Sequence, residues 1–193
     1  MIESGVRRHS ASSVMSVSEF EGVYRTHFDA VWRTLRRLGV PEKDATDAAQ
    51  EVFLIAYRRL AEFEGRSSMK TWLFGIAFRV ASNRRNRGSH RREVLDDGLV
   101  EALGVASNFE TEMEQRDLLR LLERVLDRLP LEQRAVFTLY EMEGLTGDEI
   151  AAALGVPAGT VRSRLRLARE AFSAQARSLR RELVPQALAG GAG

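Results

Sequence analysis

The amino-acid sequence predicts an all-α protein built as two small helical domains joined by a flexible acidic linker, with a helix-turn-helix in the C-terminal one. Three observations carry this prediction. Apolar residues recur at three- and four-residue steps in several separate segments, a spacing that puts them on one face of a helix. No stretch sustains the two-residue alternation of a half-buried strand. Gly and Pro fall largely at the ends of the periodic stretches, where they punctuate helices. With 193 residues, 44% hydrophobic and 29% charged, the chain has the apolar material for one domain or two small soluble ones.

The first helix is expected to begin at Ser16, because Ser16 and Glu19 have the spacing of a capping box. Phe20, Val23, Tyr24, Phe28, Val31, Trp32, Leu35 and Leu38 then form one apolar stripe. Gly39 closes the helix and Pro41 opens a second, reaching about Leu60. On it Ala45, Ala48, Val52, Ala56 and Leu60 share a core face, while Asp47, Gln50, Glu51, Leu54 and Arg58 lie opposite. Leu54 among polar residues fits a partner surface, although a single exposed Leu also needs no explanation. A third helix is expected from about Ser68 to Arg87, with Met69, Trp72, Leu73, Ile76 and Val80 inward and Phe74 and Phe78 turned away. Aromatics beside a basic run suit stacking on unpaired bases; the alternative, above all for Phe74, is packing against another helix. Residues 88–108 lack periodicity and read as a linker, with a short helix at Asp97–Leu103. Beyond it, Leu118, Leu122, Val125 and Leu129 mark a helix stopped by Pro130, and Leu131–Met142 another that ends at Gly144.

Charge is unevenly placed. The formal net is only +2, and Lys43 and Lys70 are the only lysines among 29 basic residues. Arg79 to Arg92 holds arginines and no acid, Glu93 to Asp117 is strongly acidic, and Arg162 to Arg181 has seven arginines against Glu170 alone. Arg is suited to bidentate phosphate and guanine recognition. Two basic blocks around an acidic stretch fit two contacts with a nucleic acid, or simply solvated faces. Other classes find little support. There is no cysteine, hence no disulfide framework or thiolate metal site. No apolar run reaches the ~18 residues of a membrane span, and Met1–Met15 lacks the apolar core of a secretory signal. A cytoplasmic protein without membrane insertion is therefore expected. His9, His27 and His90 are scattered, and Asp96–Asp97 lies in the linker, so no catalytic residue, metal site or cofactor is expected.

The sharpest local pattern is the helix-turn-helix. Thr146 and Glu149 form a second capping box. Ile150–Leu154 makes a short helix in which Ala151 permits a close crossing, and Gly155 stands where the turn requires a left-handed residue. After Val156 and Pro157, Val161, Leu165, Ala168 and Phe172 make a buried stripe, leaving Gly159, Thr160, Arg162, Ser163, Arg166 and Arg169 on the flanks and far side. That is the form of a recognition helix entering the major groove with its first turns, with Arg162 and Arg166 placed for guanine or phosphate.

Residues 129–134 read Leu-Pro-x-x-Gln-Arg, followed by Glu149-Ile-Ala-x-x-Leu-Gly-Val-Pro157 and Gly159-Thr-Val-Arg-Ser-Arg164. Upstream stand Asp47-Ala-Ala-Gln-Glu-Val-Phe53 and Lys70-Thr-Trp-Leu-Phe-Gly-Ile-Ala77. In this order the motifs resemble those of bacterial extracytoplasmic-function (ECF) sigma factors of the sigma-70 family, over about Phe20–Arg87 and Leu118–Phe172. The resemblance implies a non-enzymatic initiation factor that binds RNA polymerase core through its clamp helices, directs it to promoter DNA, helps to melt that DNA, and is sequestered by an anti-sigma factor. The alternative is a stand-alone helix-turn-helix regulator. The sigma-factor resemblance implies a disordered segment over 1–15, a region 2-like domain over 16–92, an acidic linker over 93–109, a region 4-like domain over 110–183 and a disordered tail over 184–193. Core docking would fall to Asp47, Gln50, Glu51, Phe53, Leu54 and Arg58. The minus-10 element would meet Lys70, Thr71, Trp72, Phe78, Arg79, Asn83, Arg84 and Arg85. The minus-35 element would meet Thr146, Glu149, Gly159, Thr160, Arg162, Ser163, Arg164, Arg166 and Arg169. The chain departs from the family pattern at Phe78-Arg79 and Asn83, which sets aside the family's minus-10 preference, and at Leu167, which weakens the carry-over of a phosphate contact to that position.

Overall fold

The computed structural model describes residues 16–92 and 121–189, with side chains over 16–85 and 121–178. Every regular element among the described residues is helical. Helix α1 (Val17–Arg37) starts on the expected capping box: Ser16 N–H donates to the Glu19 carboxylate at 2.6 Å and Glu19 N–H donates to Ser16 Oγ at 3.3 Å. The Ser16 N–H, followed by the Ser16 hydroxyl, favours the ionised form and holds the Glu19 carboxyl below its ordinary value. Helix α2 (Glu42–Arg58) ends slightly sooner than its periodicity suggests, because Leu60–Glu62 tightens into a 3₁₀ turn. Helix α3 (Met69–Arg92) continues past Arg87. The linker, its Asp97–Leu103 segment and the N-terminal stretch before Ser16 lie outside the described residues.

Helix α4 occupies residues 121–127. Pro130 separates it from α5 (Leu131–Phe137), which widens into a π-helical turn over Thr138–Met142. There Glu143 N–H donates to Thr138 O at 3.2 Å, five residues back. Helix α6 (Gly147–Leu154) and α7 (Ala158–Ala189) complete the chain. The tail expected from residue 184 is helical as far as Ala189, and residues 190–193 lie outside the description.

Helices α1 to α3 form an N-terminal lobe and α4 to α7 a C-terminal lobe. The first buries Val31, Leu35, Ala48, Val52, Leu73 and Val80. The second has a small cluster of its own, in which Phe137 stacks on Phe172 at 4.6 Å. The lobes are not held apart. Ile150, Val161 and Leu165 join the core that contains Phe74 and Ile76, so α6 lies directly on α3. A close crossing makes this possible: a Cβ added to Gly75 would fall 2.5 Å from the Ala153 carbonyl oxygen, a distance no larger residue tolerates. That contact also explains why α3 is apolar nearly all round. Its second apolar face belongs to the other lobe, and full burial of a side chain such as Phe74 contributes ~1.5–3 kcal/mol.

Candidate nucleic-acid and docking surfaces

The outer face of α2 is open. Asp47, Gln50, Leu54 and Arg58 are exposed there, Leu54 at 49%, and Glu51 is half-buried. Phe53 is corrected: it is only 3% exposed, with the rings of Tyr24 at 4.8 Å, Phe28 at 6.2 Å and Phe20 at 6.5 Å. One step around the helix from Leu54, its ring points into the lobe and offers no surface. Sequence reasoning missed Tyr57, 46% exposed and edge-on to Phe20 at 5.1 Å. The signal was its position three residues after Leu54, on the same side of α2.

Helix α3 offers less than its motif implied. Thr71, 2% exposed, is a second correction, because its N–H donates to Ser68 Oγ and its hydroxyl shares a hydrogen bond with the same atom. It serves to start the helix. Phe74 is fully buried in the core that also holds Ile150 of α6, Phe78 is half-buried, and Trp72 packs on Phe63 at 5.1 Å. Arg84 donates to Glu51 at 2.8 Å, joining a residue assigned to minus-10 DNA with one assigned to core docking. Arg79, Asn83 and Arg85 are exposed.

The helix-turn-helix forms as read. Thr146 Oγ1 and Glu149 satisfy each other's backbone donors, which holds the Glu149 carboxyl below its usual value and commits both side chains to the cap. Gly155 has φ +67°, the left-handed conformation that turns the chain into α7. Val161, Leu165 and Ala168 are buried, while Gly159, Arg162, Ser163 and Arg166 are exposed and Thr160 and Arg164 half-buried. Among the described residues nothing pairs with Arg162. Arg166 donates to Glu170 at 2.7 Å, and Arg169 is held by Glu141 at 2.6 Å while lying over the Tyr140 ring. Arg162 is therefore the readiest cation at the start of α7.

Polar groups also join the lobes. Arg134 is 2% exposed; its Nε donates to the Arg37 carbonyl and its Nη1 to Asp127 at 2.6 Å. Burial pushes this guanidinium below its ordinary value, and Asp127 opposes the shift. Arg36 donates to Glu123 at 2.9 Å. Lys70 Nζ lies 3.0 Å from the carboxylate of Glu143. Beside it burial lowers the His27 imidazole below its usual value, and the Lys70 charge adds to the effect.

Comparison with known proteins accounts for both lobes. The model for sigma-70 region 2 matches residues 23–92 and that for sigma-70 region 4 matches residues 119–172. The ECF RNA polymerase sigma-E factor of Escherichia coli K12 is 39% identical over 141 residues, covering 69% of this chain and 74% of its own length. The chain belongs to the ECF group of the sigma-70 family. The RNA polymerase sigma-H factor of Pseudomonas aeruginosa is also similar, at 36% identity over 72% of this chain and 77% of its own. Among solved structures, CnrH in complex with the cytosolic domain of CnrY matches at TM-score 0.62 and 25% identity over 84% of this chain and 90% of that one. The sigma factor RpoE of Bartonella quintana, solved with the anti-sigma factor NepR, has the same fold at TM-score 0.65 and 22% identity over 83% and 98%. A stand-alone regulator would explain the region 4 match but not the region 2 match. This sigma factor is a transcription-initiation factor. No helix among its described residues is long and apolar enough to cross a membrane.

Proposed function

We propose that the chain is a detachable promoter-specificity subunit that acts by binding and strand separation, without covalent chemistry, in the cytoplasm. Asp47, Gln50, Glu51, Leu54 and Arg58, joined by Tyr57, dock on the clamp helices of RNA polymerase core. The first turns of α7, led by Arg162, read the minus-35 element in the major groove. Helix α3, with Lys70 at its start, Phe78 half-buried and Arg79, Asn83 and Arg85 exposed, takes up the minus-10 region and holds an unpaired base, offsetting an unstacking cost of a few kcal/mol. The family resemblance further implies an anti-sigma factor, and a chain of the same fold has been solved with one.

The single observation behind this reading is that the open face of α2 and the open start of α7 coexist in one chain, each within its own family match. Two weak DNA contacts carried on one polymerase gain effective concentration, so the isolated protein is expected to bind promoters poorly. The test is assembly with purified core. Leu54→Asp should weaken holoenzyme formation by about 2–4 kcal/mol, the range of an interface hot spot, with its circular dichroism and melting unchanged. Run-off transcription should fall in parallel. Undiminished assembly of that variant would remove α2 as the docking face, and no assembly by the parent chain would remove the function.

A further inference from the structure

Glu143 has an unusual set of partners. Its side chain is 7% exposed, and one carboxylate oxygen accepts from Arg37 Nη1 at 2.8 Å and Thr34 Oγ1 at 3.3 Å, while the other lies 3.0 Å from Lys70 Nζ. Lys70 also donates to the Glu143 backbone carbonyl at 3.3 Å. All three donors belong to the N-terminal lobe, on α1 and α3, and the acid alone comes from the C-terminal lobe. The imidazole of His27 lies close enough to feel Lys70. Separation of the lobes would take away the carboxylate and leave a guanidinium, an ammonium and a hydroxyl converging on one empty point.

Such a trio suits an anion with several acceptor oxygens. A guanidinium and an ammonium hold phosphate through charge-assisted hydrogen bonds, and a Thr hydroxyl is a common additional donor to phosphate oxygens. The cluster lies at the start of α3, the helix that carries the minus-10 motif. We propose that Thr34, Arg37 and Lys70 form a binding site for a backbone phosphate of promoter DNA, and that Glu143 fills this site from the opposite lobe until the lobes part. The proposal rests on the reading of the chain as a promoter-binding factor. It adds to that reading two residues of α1, Thr34 and Arg37, beside the already assigned Lys70, and an internal competitor for them.

Phosphate contacts carry no sequence information, so the test needs no cognate promoter. The full chain is titrated by fluorescence anisotropy against a mixed-sequence DNA duplex with a short unpaired segment, over a range of salt. Glu143→Gln keeps the shape of the side chain and removes its charge. It should tighten DNA binding by roughly 5- to 150-fold, the usual span of coupling between sites, and steepen the log–log salt dependence by about one unit. Adding Arg37→Ala should cancel both changes. Gly75→Ala, which retains Glu143 but wedges the lobes apart, should give the same Arg37-dependent gain and provides a second route if Glu143→Gln melts too easily to measure. Binding unchanged in both variants, or a gain that survives Arg37→Ala, overturns the proposal. So does an expanded Glu143→Gln protein, seen by small-angle scattering, that binds DNA no better. Inorganic phosphate that competes at the same phosphate concentration as DNA would reassign the site to small anions and overturn the polymer assignment. Failure of the parent chain to assemble with polymerase core is a separate result, which sinks the functional reading and not the anion site.

Discussion

Helices α3 and α7 carry the two motifs proposed to read DNA, and the fold treats them differently. At the start of α7, Arg162, Ser163 and Arg166 face outward, over a buried stripe that uses only one side of the helix. At the start of α3, Lys70 is tied to Glu143, Thr71 is buried and Phe74 is fully buried in the core shared with α6. The same residue chemistry is thus ready in one helix and covered in the other. The difference comes from how many sides of the helix are apolar. One buried stripe leaves a solvent face free, whereas α3 presents apolar residues on two sides and receives a helix on each.

The contrast is broken most directly at Gly75. Gly75→Ala is also a better helix former, so its effect isolates the collision with the Ala153 carbonyl oxygen, a backbone atom that no rotamer change can move. It should cost the packed arrangement about 3 kcal/mol, the upper range of overpacking. Small-angle scattering should show a larger radius of gyration, and hydrogen exchange should show faster amides in α6. An unchanged radius would mean that the α3–α6 crossing yields without separation.

The α7 side is sharpened by Arg162→Ala, expected to weaken promoter binding by the holoenzyme by about 1–3 kcal/mol. A loss confined to one base pair of the site assigns Arg162 to a base edge. A uniform loss with a salt slope lower by about one assigns it to phosphate. No loss at all would make the open face of α7 irrelevant to reading. The smallest effect is expected at His27, beside the covered end of α3. Its imidazole is held below the usual value of 6.5, so the folded chain binds fewer protons than the unfolded chain and stability falls as pH drops through that region. His27→Asn should flatten this part of the dependence in thermal melts between about pH 8 and pH 5.5. A variant with the parental slope would place the titration elsewhere.

What was legible in the sequence was local. Two capping boxes, Ser16–Glu19 and Thr146–Glu149, and the left-handed Gly155 are set by residues within a few positions of one another, and they formed as read. So did the exposed face of α2, which follows from helical period alone. The misread residues fail for different reasons. The role of Thr71 in starting α3 was hidden by a motif that pointed to DNA. Phe53 lies a single step from Leu54, where period alone separates core from surface poorly, and rings from α1 complete its burial. The cover over Phe74 and the partners of Glu143 come from the other lobe, with Thr34 and Glu143 109 positions apart. No spacing rule spans that interval.

The π-helical turn has a consequence for how this arrangement arose. The wide turn ends α5 and holds one more residue than an α-helical turn, which changes the direction in which the next residue leaves the helix. Glu143, whose amide closes that wide turn on Thr138, follows it directly and reaches Arg37 and Lys70 of the other lobe. A deletion within Thr138–Met142 would leave the glutamate in the chain and swing it out of reach. Helical phase, set by the count of residues, thus becomes an inheritable setting for whether the two halves of the molecule hold each other.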